Sequence, residues 1–164
     1  MRFNALALVA SAIVLGACGG GGEGSKTDSA TTPAPGGAGT PAPTGTVTAM
    51  PITGTTHEVK MIMDGNSYRF DPVNITVKTG DGIKFTTVSG PPHNFGFDPA
   101  TIPDDVEAQL KVNMPAGSTD LEGPMQNTVG ESHTLSLGGI KPGAYPVHCT
   151  PHLALGMKGV ITVQ

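Results

Sequence analysis

The sequence predicts an all-β fold, a β-sandwich preceded by two segments outside the folded core. Short runs rich in Val, Ile, Thr, Phe and Tyr recur from residue 57 onward, which is typical of strands. Turn signals such as Asp64-Gly65 and Lys141-Pro142-Gly143 separate these runs. Residues 1–56 differ in composition, so the 164-residue chain is expected to hold one modest sandwich rather than two.

The predicted domain covers residues 57–164. Regular short strands with Gly and Pro between them favour a sandwich. No segment shows a convincing amphipathic helix, although residues 104–111 are compatible with one or two helical turns. The predicted strands are residues 58–63, 68–71, 74–78, 82–88, 94–97, 132–137, 143–149 and 159–163.

Residues 1–17 are predicted to be a secretion signal. Arg2 gives a basic start and an apolar run covers residues 5–15, which is too short for a membrane-spanning helix. The sequence Leu15-Gly16-Ala17-Cys18 resembles a bacterial lipobox, in which cleavage leaves the cysteine as the lipidated first residue. A plain secretion signal is the alternative.

The lipobox pattern predicts a periplasmic or otherwise extracytoplasmic lipoprotein, anchored to a membrane through Cys18. No Asp follows Cys18, which favours the outer membrane in a cell with two membranes. Residues 18–56 are mostly Gly, Pro, Ala, Thr and Ser and have almost no apolar cluster, so they predict a disordered tether. Its reach is on the order of 35 Å.

One segment near the end of the chain carries ligand chemistry. It contains Cys149, His152 and Met157, and His93 lies upstream in Pro92-His93-Asn94. A thiolate, two imidazoles and a thioether together are the ligand set of a blue copper electron-transfer site. Sulfur suits Cu(I) and imidazole suits Cu(II), so one copper could cycle between both states with little movement. The sequence therefore predicts a copper site.

Two other readings of the Cys-x-x-His spacing are a zinc site and a thiol nucleophile. Zinc is disfavoured because a structural site takes four Cys or His ligands, whereas this domain has Cys149 as its one cysteine. Cysteine catalysis is disfavoured because no evident oxyanion hole or orienting Asn or Asp accompanies His152. A disulfide from Cys18 to Cys149 would remove the thiolate from the predicted site.

Four segments in residues 57–164 carry a family resemblance. They are Asp81-Gly82-Ile83-Lys84-Phe85, Pro92-His93-Asn94-Phe95-Gly96-Phe97-Asp98, residues 149–157 and Gly159-Val160-Ile161-Thr162-Val163. Together they resemble the plastocyanin-like cupredoxins, which implies a Greek-key β-sandwich with one type 1 copper and one-electron transfer between larger redox proteins. The Cys149–Met157 segment is also similar to pseudoazurin, but that family carries helices after this loop.

By position, the resemblance assigns the metal ligands to His93, Cys149, His152 and Met157. It also implies that the backbone N–H of Asn94 donates to the cysteine sulfur and that its side chain contacts Thr150. An ordinary turn residue is the alternative for Asn94.

The chain departs from plant-type plastocyanins at two places. His148 stands where those proteins have a tyrosine beside the ligand cysteine, which puts a remote electron route in doubt. Residues 101–130 are longer than a minimal member needs and predict an extra loop or flap. We therefore expect redox partners to dock transiently at the exposed edge of His152, on a monomer.

The leading functional hypothesis is a non-catalytic electron shuttle, and the alternative is a periplasmic protein for copper storage or delivery. An enzyme is disfavoured, since Met157 leaves no open coordination position and the chain lacks the extra ligands of a copper oxidase. A net charge of −4 without a basic stripe gives no support for nucleic-acid binding.

Overall fold

Two β-sheets form the folded part of the computed structural model, which describes residues 46–164. The strands pair in the orders β2-β1-β4-β5 and β3-β7-β6, and the prediction of an all-β sandwich is confirmed. The strands are β1 (Thr56–Asp64), β2 (Ser67–Asp71), β3 (Asn74–Val77), β4 (Gly82–Thr87), β5 (Ser132–Ser136), β6 (Gly143–His148) and β7 (Lys158–Val163).

The sandwich has two ends that carry different residues. β1 and β4 run parallel, while β6 and β7 run antiparallel with His148 opposite Lys158. One end carries His93 and residues 149–157, and we call it the ligand end. The other end carries Asp81, residues 137–140 and Gln164, where Leu137 N–H donates to Asp81 O at 2.8 Å. We call it the Asp81 end.

Aromatic rings fill the core between the sheets. Phe85 stacks on Phe95 with ring centroids 4.1 Å apart, and Phe70 meets Phe85 edge to face at 5.9 Å. All three rings are buried. Phe95 lies two residues after His93, so this packing supports the segment that delivers one predicted ligand.

The helix is longer than the sequence predicts. Residues 104–111 were compatible with one or two turns, whereas α1 spans Asp104–Asn113. Val106, Leu110 and Asn113 are buried along one face. Acidic residues fill the first turn and Lys111 pairs with Glu107 at 2.7 Å, which stabilises a short helix.

The predicted strand at residues 94–97 is wrong. Within it, Gly96 makes isolated bridges to Glu122 and His148, and the preceding residue His93 makes one to Gln126. Its neighbour changes from residue to residue, so no continuous ladder forms. The other predicted strands are present, with ends that differ by one or two residues.

The predicted tether ends too late in the sequence. Residues 46–55 are not strands, but several of them bond to the domain. Met50 N–H donates to Asn113 Oδ1 at 2.9 Å, and Thr53 N–H donates to Gly80 O at 2.9 Å. The sequence could not indicate this because the partners lie far along the chain. Residues 46–55 therefore bond to the domain, although the prediction assigned them to the tether.

The predicted signal peptide and the predicted lipidation site at Cys18 lie outside the described residues. Within residues 46–164, no helix is long and apolar enough to cross a membrane.

Candidate metal centre

A tight loop joins β6 to β7 and carries three of the predicted ligands. Cys149 directly follows β6, and a 3₁₀ helix covers Thr150–Leu155 with Pro151 in its first turn. Gly156 ends this helix in the left-handed region, at φ 84°, where glycine is favoured. Cys149 N–H then donates to Met157 O at 3.1 Å. The loop thus closes on itself before β7 begins.

His93 reaches the same end of the sandwich from the segment that follows β4. Its backbone exchanges two hydrogen bonds with Gln126, at 3.0 and 2.7 Å. Its ring Nε2 lies 2.9 Å from Ser89 O. Since a carbonyl can only accept, this contact places a proton on Nε2 and leaves Nδ1 free to bind a metal.

The ligand end brings three predicted ligand atoms together. Cys149 Sγ lies 3.6 Å from His93 Nδ1 and 3.5 Å from His152 Nδ1, and all three atoms lie within 4.8 Å of one another. A metal bonded in a trigonal plane to nitrogen at about 2.0 Å and to sulfur at about 2.3 Å would separate sulfur and nitrogen by about 3.7 Å. The cluster therefore fits a single metal ion of this kind.

Met157, the fourth predicted ligand, is fully buried. The hydrogen bond from Cys149 N–H to Met157 O places the two backbones side by side at the base of the loop. His93 and Cys149 are also fully buried, and His152 is 7% exposed. The site is thus enclosed except at the edge of His152.

Burial sets the protonation of the three clustered side chains. It lowers the pKa of His93, against the opposing effect of the Ser89 carbonyl, and it lowers the pKa of His152, to which the charge of His93 adds. It raises the pKa of the Cys149 thiol, while backbone hydrogen bonds from Asn94 and His152 act in the opposite direction. Both imidazoles are therefore neutral and ready to bind a metal, whereas the thiol must release its proton when it binds one.

Asn94 and Thr150 connect the two ligand-bearing segments. Thr150 N–H donates to Asn94 Oδ1 at 2.8 Å, and Asn94 Nδ2 donates to Thr150 Oγ1 at 3.1 Å. These residues follow His93 and Cys149 directly in the chain. The two hydrogen bonds therefore fix the distance between the ligand-bearing segments.

Three residues of the site were missed by the sequence reasoning. The ring of Tyr68 stacks on His152 with centroids 3.7 Å apart and planes at 10°, and it meets His93 edge-on at 6.0 Å. Gln126 is fully buried behind His93, and Glu122 contacts Asn94 and Thr150. All three lie far from the ligands in sequence, and no local motif marks them.

The other histidines of the domain stay outside the cluster. His148 Nε2 lies 3.0 Å from Glu122 Oε1, and His57 Nε2 lies 2.8 Å from Asp81 Oδ2 at the opposite end. His133 is partly buried within β5. Within residues 46–164, one group of three or more His, Cys, Asp or Glu side chains is close enough to hold a metal, and it consists of His93, Cys149 and His152.

Exposed apolar side chains lie next to two of the ligands in the chain. Leu153 is 39% exposed and Leu155 is 59% exposed, and both follow His152 in the 3₁₀ helix. Pro91 and Pro92 are exposed just before His93. These four apolar side chains are therefore open to contact.

Comparison with known proteins gives consistent matches. Residues 57–164 match the family described as copper binding proteins, plastocyanin/azurin family. A plastocyanin from Daucus carota is 37% identical over 106 residues, which cover 65% of this chain and 98% of that protein. A plastocyanin from Nostoc punctiforme is 33% identical over 115 residues, with 66% and 74% covered.

A solved structure agrees with the sequence matches. The oxidised plastocyanin from the fern Dryopteris crassirhizoma is 31% identical, covers 66% of this chain and 100% of that chain, and has a TM-score of 0.53. The match leaves the first third of the chain uncovered.

Proposed function

Because the chain belongs to the plastocyanin/azurin family of copper binding proteins, we propose that it is a type 1 copper electron carrier outside the cytoplasm. Copper is its cofactor and supplies one-electron chemistry between Cu(I) and Cu(II). The observation that carries the proposal is the buried cluster of His93 Nδ1, Cys149 Sγ and His152 Nδ1, all within 4.8 Å. Met157 completes the ligand set.

The protein's own contribution is to hold these donors still. His93 is fixed by Ser89 O and by two backbone bonds to Gln126. Cys149 is fixed by its bond to Met157 O. A ligand set held by bonds that do not involve the metal has little reason to move when the metal changes charge, so electron transfer requires little rearrangement.

Met157 also bears on the reaction class. With Met157 as the fourth ligand, the metal has no open position for a substrate, so we propose a carrier rather than an enzyme. A small part of His152 is exposed, and Leu153 and Leu155 after it are more exposed. These side chains support a small apolar docking surface for electron donors and acceptors. Small contacts suit a protein that releases its partner after each transfer. We also propose that the protein acts as a monomer.

We place the carrier on a membrane through lipidated Cys18. The lipobox-like sequence at residues 15–18 and the Gly- and Pro-rich segment that follows support this placement. Mass spectrometry of the membrane-extracted protein tests it, because a lipidated Cys18 adds acyl mass to the first peptide. Cys18→Ser should release the protein into the soluble fraction, and an unmodified wild-type peptide would contradict the anchor.

Electron transfer is distinguished from copper storage or delivery by two rates measured on the same sample. Electron self-exchange is measured by NMR line broadening in mixed oxidation states, and copper loss is measured with excess chelator. We expect fast self-exchange and slow copper loss, since the ligands are buried and fixed. Slow self-exchange with rapid copper loss would instead indicate delivery.

A further inference from the structure

Glu122 touches the residues that flank two of the proposed ligands. Its Oε2 accepts a hydrogen bond from Asn94 Nδ2 at 3.0 Å and another from Thr150 Oγ1. Its Oε1 lies 3.0 Å from His148 Nε2. Asn94 follows His93, while His148 and Thr150 stand on either side of Cys149. One carboxylate thus joins both segments that carry the cluster.

The backbone holds this carboxylate in place. Glu122 and Thr119 exchange backbone hydrogen bonds at 2.9 and 3.0 Å, and Asp120 between them adopts φ 56°, in the left-handed region. The side chain of Leu121 is buried and its carbonyl accepts from Phe97 N–H at 3.1 Å. This turn fixes the position of Glu122.

Gly96 leaves the room that the carboxylate occupies. A Cβ on Gly96 would lie 2.2 Å from a Glu122 carboxylate oxygen. Gly96 also exchanges two backbone bonds with His148, both at 2.9 Å. The carboxylate therefore lies directly over the point where the His93 segment meets β6.

The charge of Glu122 acts in a defined direction on the site. In the loaded protein, the oxidised site carries one more positive charge than the reduced site. A nearby carboxylate therefore stabilises the oxidised form and lowers the reduction potential.

We propose that Glu122 is a positioning residue of the copper site, which holds Asn94 and Thr150 so that His93 and Cys149 keep their spacing and which lowers the reduction potential through its charge. The proposal rests on the proposed electron-carrier function. It assigns a role in the ligand geometry to a side chain that does not itself bind the metal.

The test compares Glu122→Ala, Glu122→Gln and the charge-matched control Glu58→Gln, an exposed residue of β1 whose carboxylate contacts Thr86. Each protein is loaded with copper for voltammetry and EPR, and the metal-free form is studied by amide hydrogen exchange. We expect both Glu122 variants to have a higher potential than wild type. Glu122→Ala should also alter the EPR spectrum, whereas Glu122→Gln should keep it because an amide can replace part of the network.

Hydrogen exchange separates this proposal from the proposed function. In metal-free Glu122→Ala, the Asn94 side chain loses its bond to the carboxylate, and Asn94 Oδ1 is the acceptor of the Thr150 amide. Exchange of that amide should therefore be at least about tenfold faster, which corresponds to the loss of one hydrogen bond to a charged group. Unchanged exchange, or potentials and spectra that match Glu58→Gln, would overturn the proposal. If wild type itself lacked a type 1 spectrum, the proposed function would fail, and Thr150 exchange would still decide the role of Glu122 in positioning the loop.

Discussion

The two ends of the sandwich use histidine in opposite ways. At the ligand end, His93 and His152 are buried beside a neutral thiol, and burial lowers both pKa values. At the Asp81 end, His57 lies 2.8 Å from the carboxylate of Asp81. A buried imidazole without an acidic partner remains neutral and can bind a metal, whereas an imidazole beside a carboxylate is engaged in a structural hydrogen bond.

The Asp81 end is held by convergence on one side chain. Asp81 accepts backbone N–H bonds from Lys78 and Thr55, both at 2.9 Å, in addition to its contact with His57. The pKa of Asp81 falls to about 2, first because of the Lys78 N–H and then because of His57 and Thr55. The start of β1 is thereby joined to the turn between β3 and β4. The comparison indicates that one end provides stability and the other provides chemistry.

Cys149→Ser should have the largest effect and should break only the ligand end. A serine hydroxyl does not ionise as a thiol does, so the intense thiolate-to-copper absorption should disappear. Copper affinity should fall by more than the roughly 10–100-fold that accompanies loss of an outer hydrogen-bond partner. Visible spectroscopy and copper titration measure both changes. An intense absorption that survives in the variant would show that Cys149 is not a ligand.

Asp81→Asn should break only the opposite end. The folded protein holds the pKa of Asp81 below its ordinary value of 3.8, at about 2. A lowered folded-state pKa stabilises the protein fully above the unfolded value, and this contribution is lost as pH falls through the folded value. The difference in unfolding free energy between wild type and variant should therefore be constant near neutral pH and shrink from about pH 4 to pH 2.

The control for this prediction is Asp64→Asn, which removes an exposed carboxylate at the end of β1. Chemical denaturation at several pH values should show little change for the control. The visible spectrum of copper-loaded Asp81→Asn should match that of wild type. A changed spectrum would mean that the two ends are coupled.

Gln126→Leu should have a smaller effect on stability. The buried amide accepts from Thr87 N–H at 3.2 Å and Thr87 Oγ1 at 3.0 Å, and it donates to Phe85 O at 3.3 Å. Leucine would leave the Thr87 hydroxyl without its acceptor, at a cost of about 1–3 kcal/mol, whereas Thr87 N–H would keep its bond to Glu131 O. Denaturation of the metal-free protein, in a double-mutant cycle with Thr87→Val, measures the coupling. Additive effects would show that the side chain does not link β4 to the His93 segment.

Tyr68→Leu should have the smallest effect on stability, and it tests what a ring that binds no metal contributes to the ligand end. Its ring stacks on His152, a contact that contributes about 0.5–1.5 kcal/mol. The type 1 spectrum should remain, because Tyr68 supplies no ligand, while the metal-free protein should lose about that amount of stability. Tyr68→Phe keeps the ring and should behave as wild type. Equal losses in both variants would assign the effect to the hydroxyl instead.

The sequence predicted what depends on local pattern. Strand alternation and turn residues located the strands, and the spacing of Cys149, His152 and Met157 indicated copper. The partner His93 lies 56 residues before Cys149. It was included because the copper ligand set needs a second imidazole, and the family resemblance then assigned it the same role. Local patterns place ligands that share one loop, but they do not report which distant segments meet.

The remaining features depend on contacts between distant segments. Met50 bonds to Asn113, which lies 63 residues away. Composition alone carries no sign of this bond, and it therefore predicted a tether at a position where the chain contacts the domain. Glu122 reaches Asn94 across 28 residues. The 94–97 segment has strand-forming residues but meets several different neighbours. In each case the three-dimensional arrangement decides the outcome.

The central claim is that His93, Cys149, His152 and Met157 form a type 1 copper site. The most direct test is the visible and EPR spectrum of the copper-loaded wild-type protein. We predict an intense thiolate-to-Cu(II) absorption together with a small parallel hyperfine splitting. A colourless copper adduct with ordinary hyperfine splitting would contradict the claim.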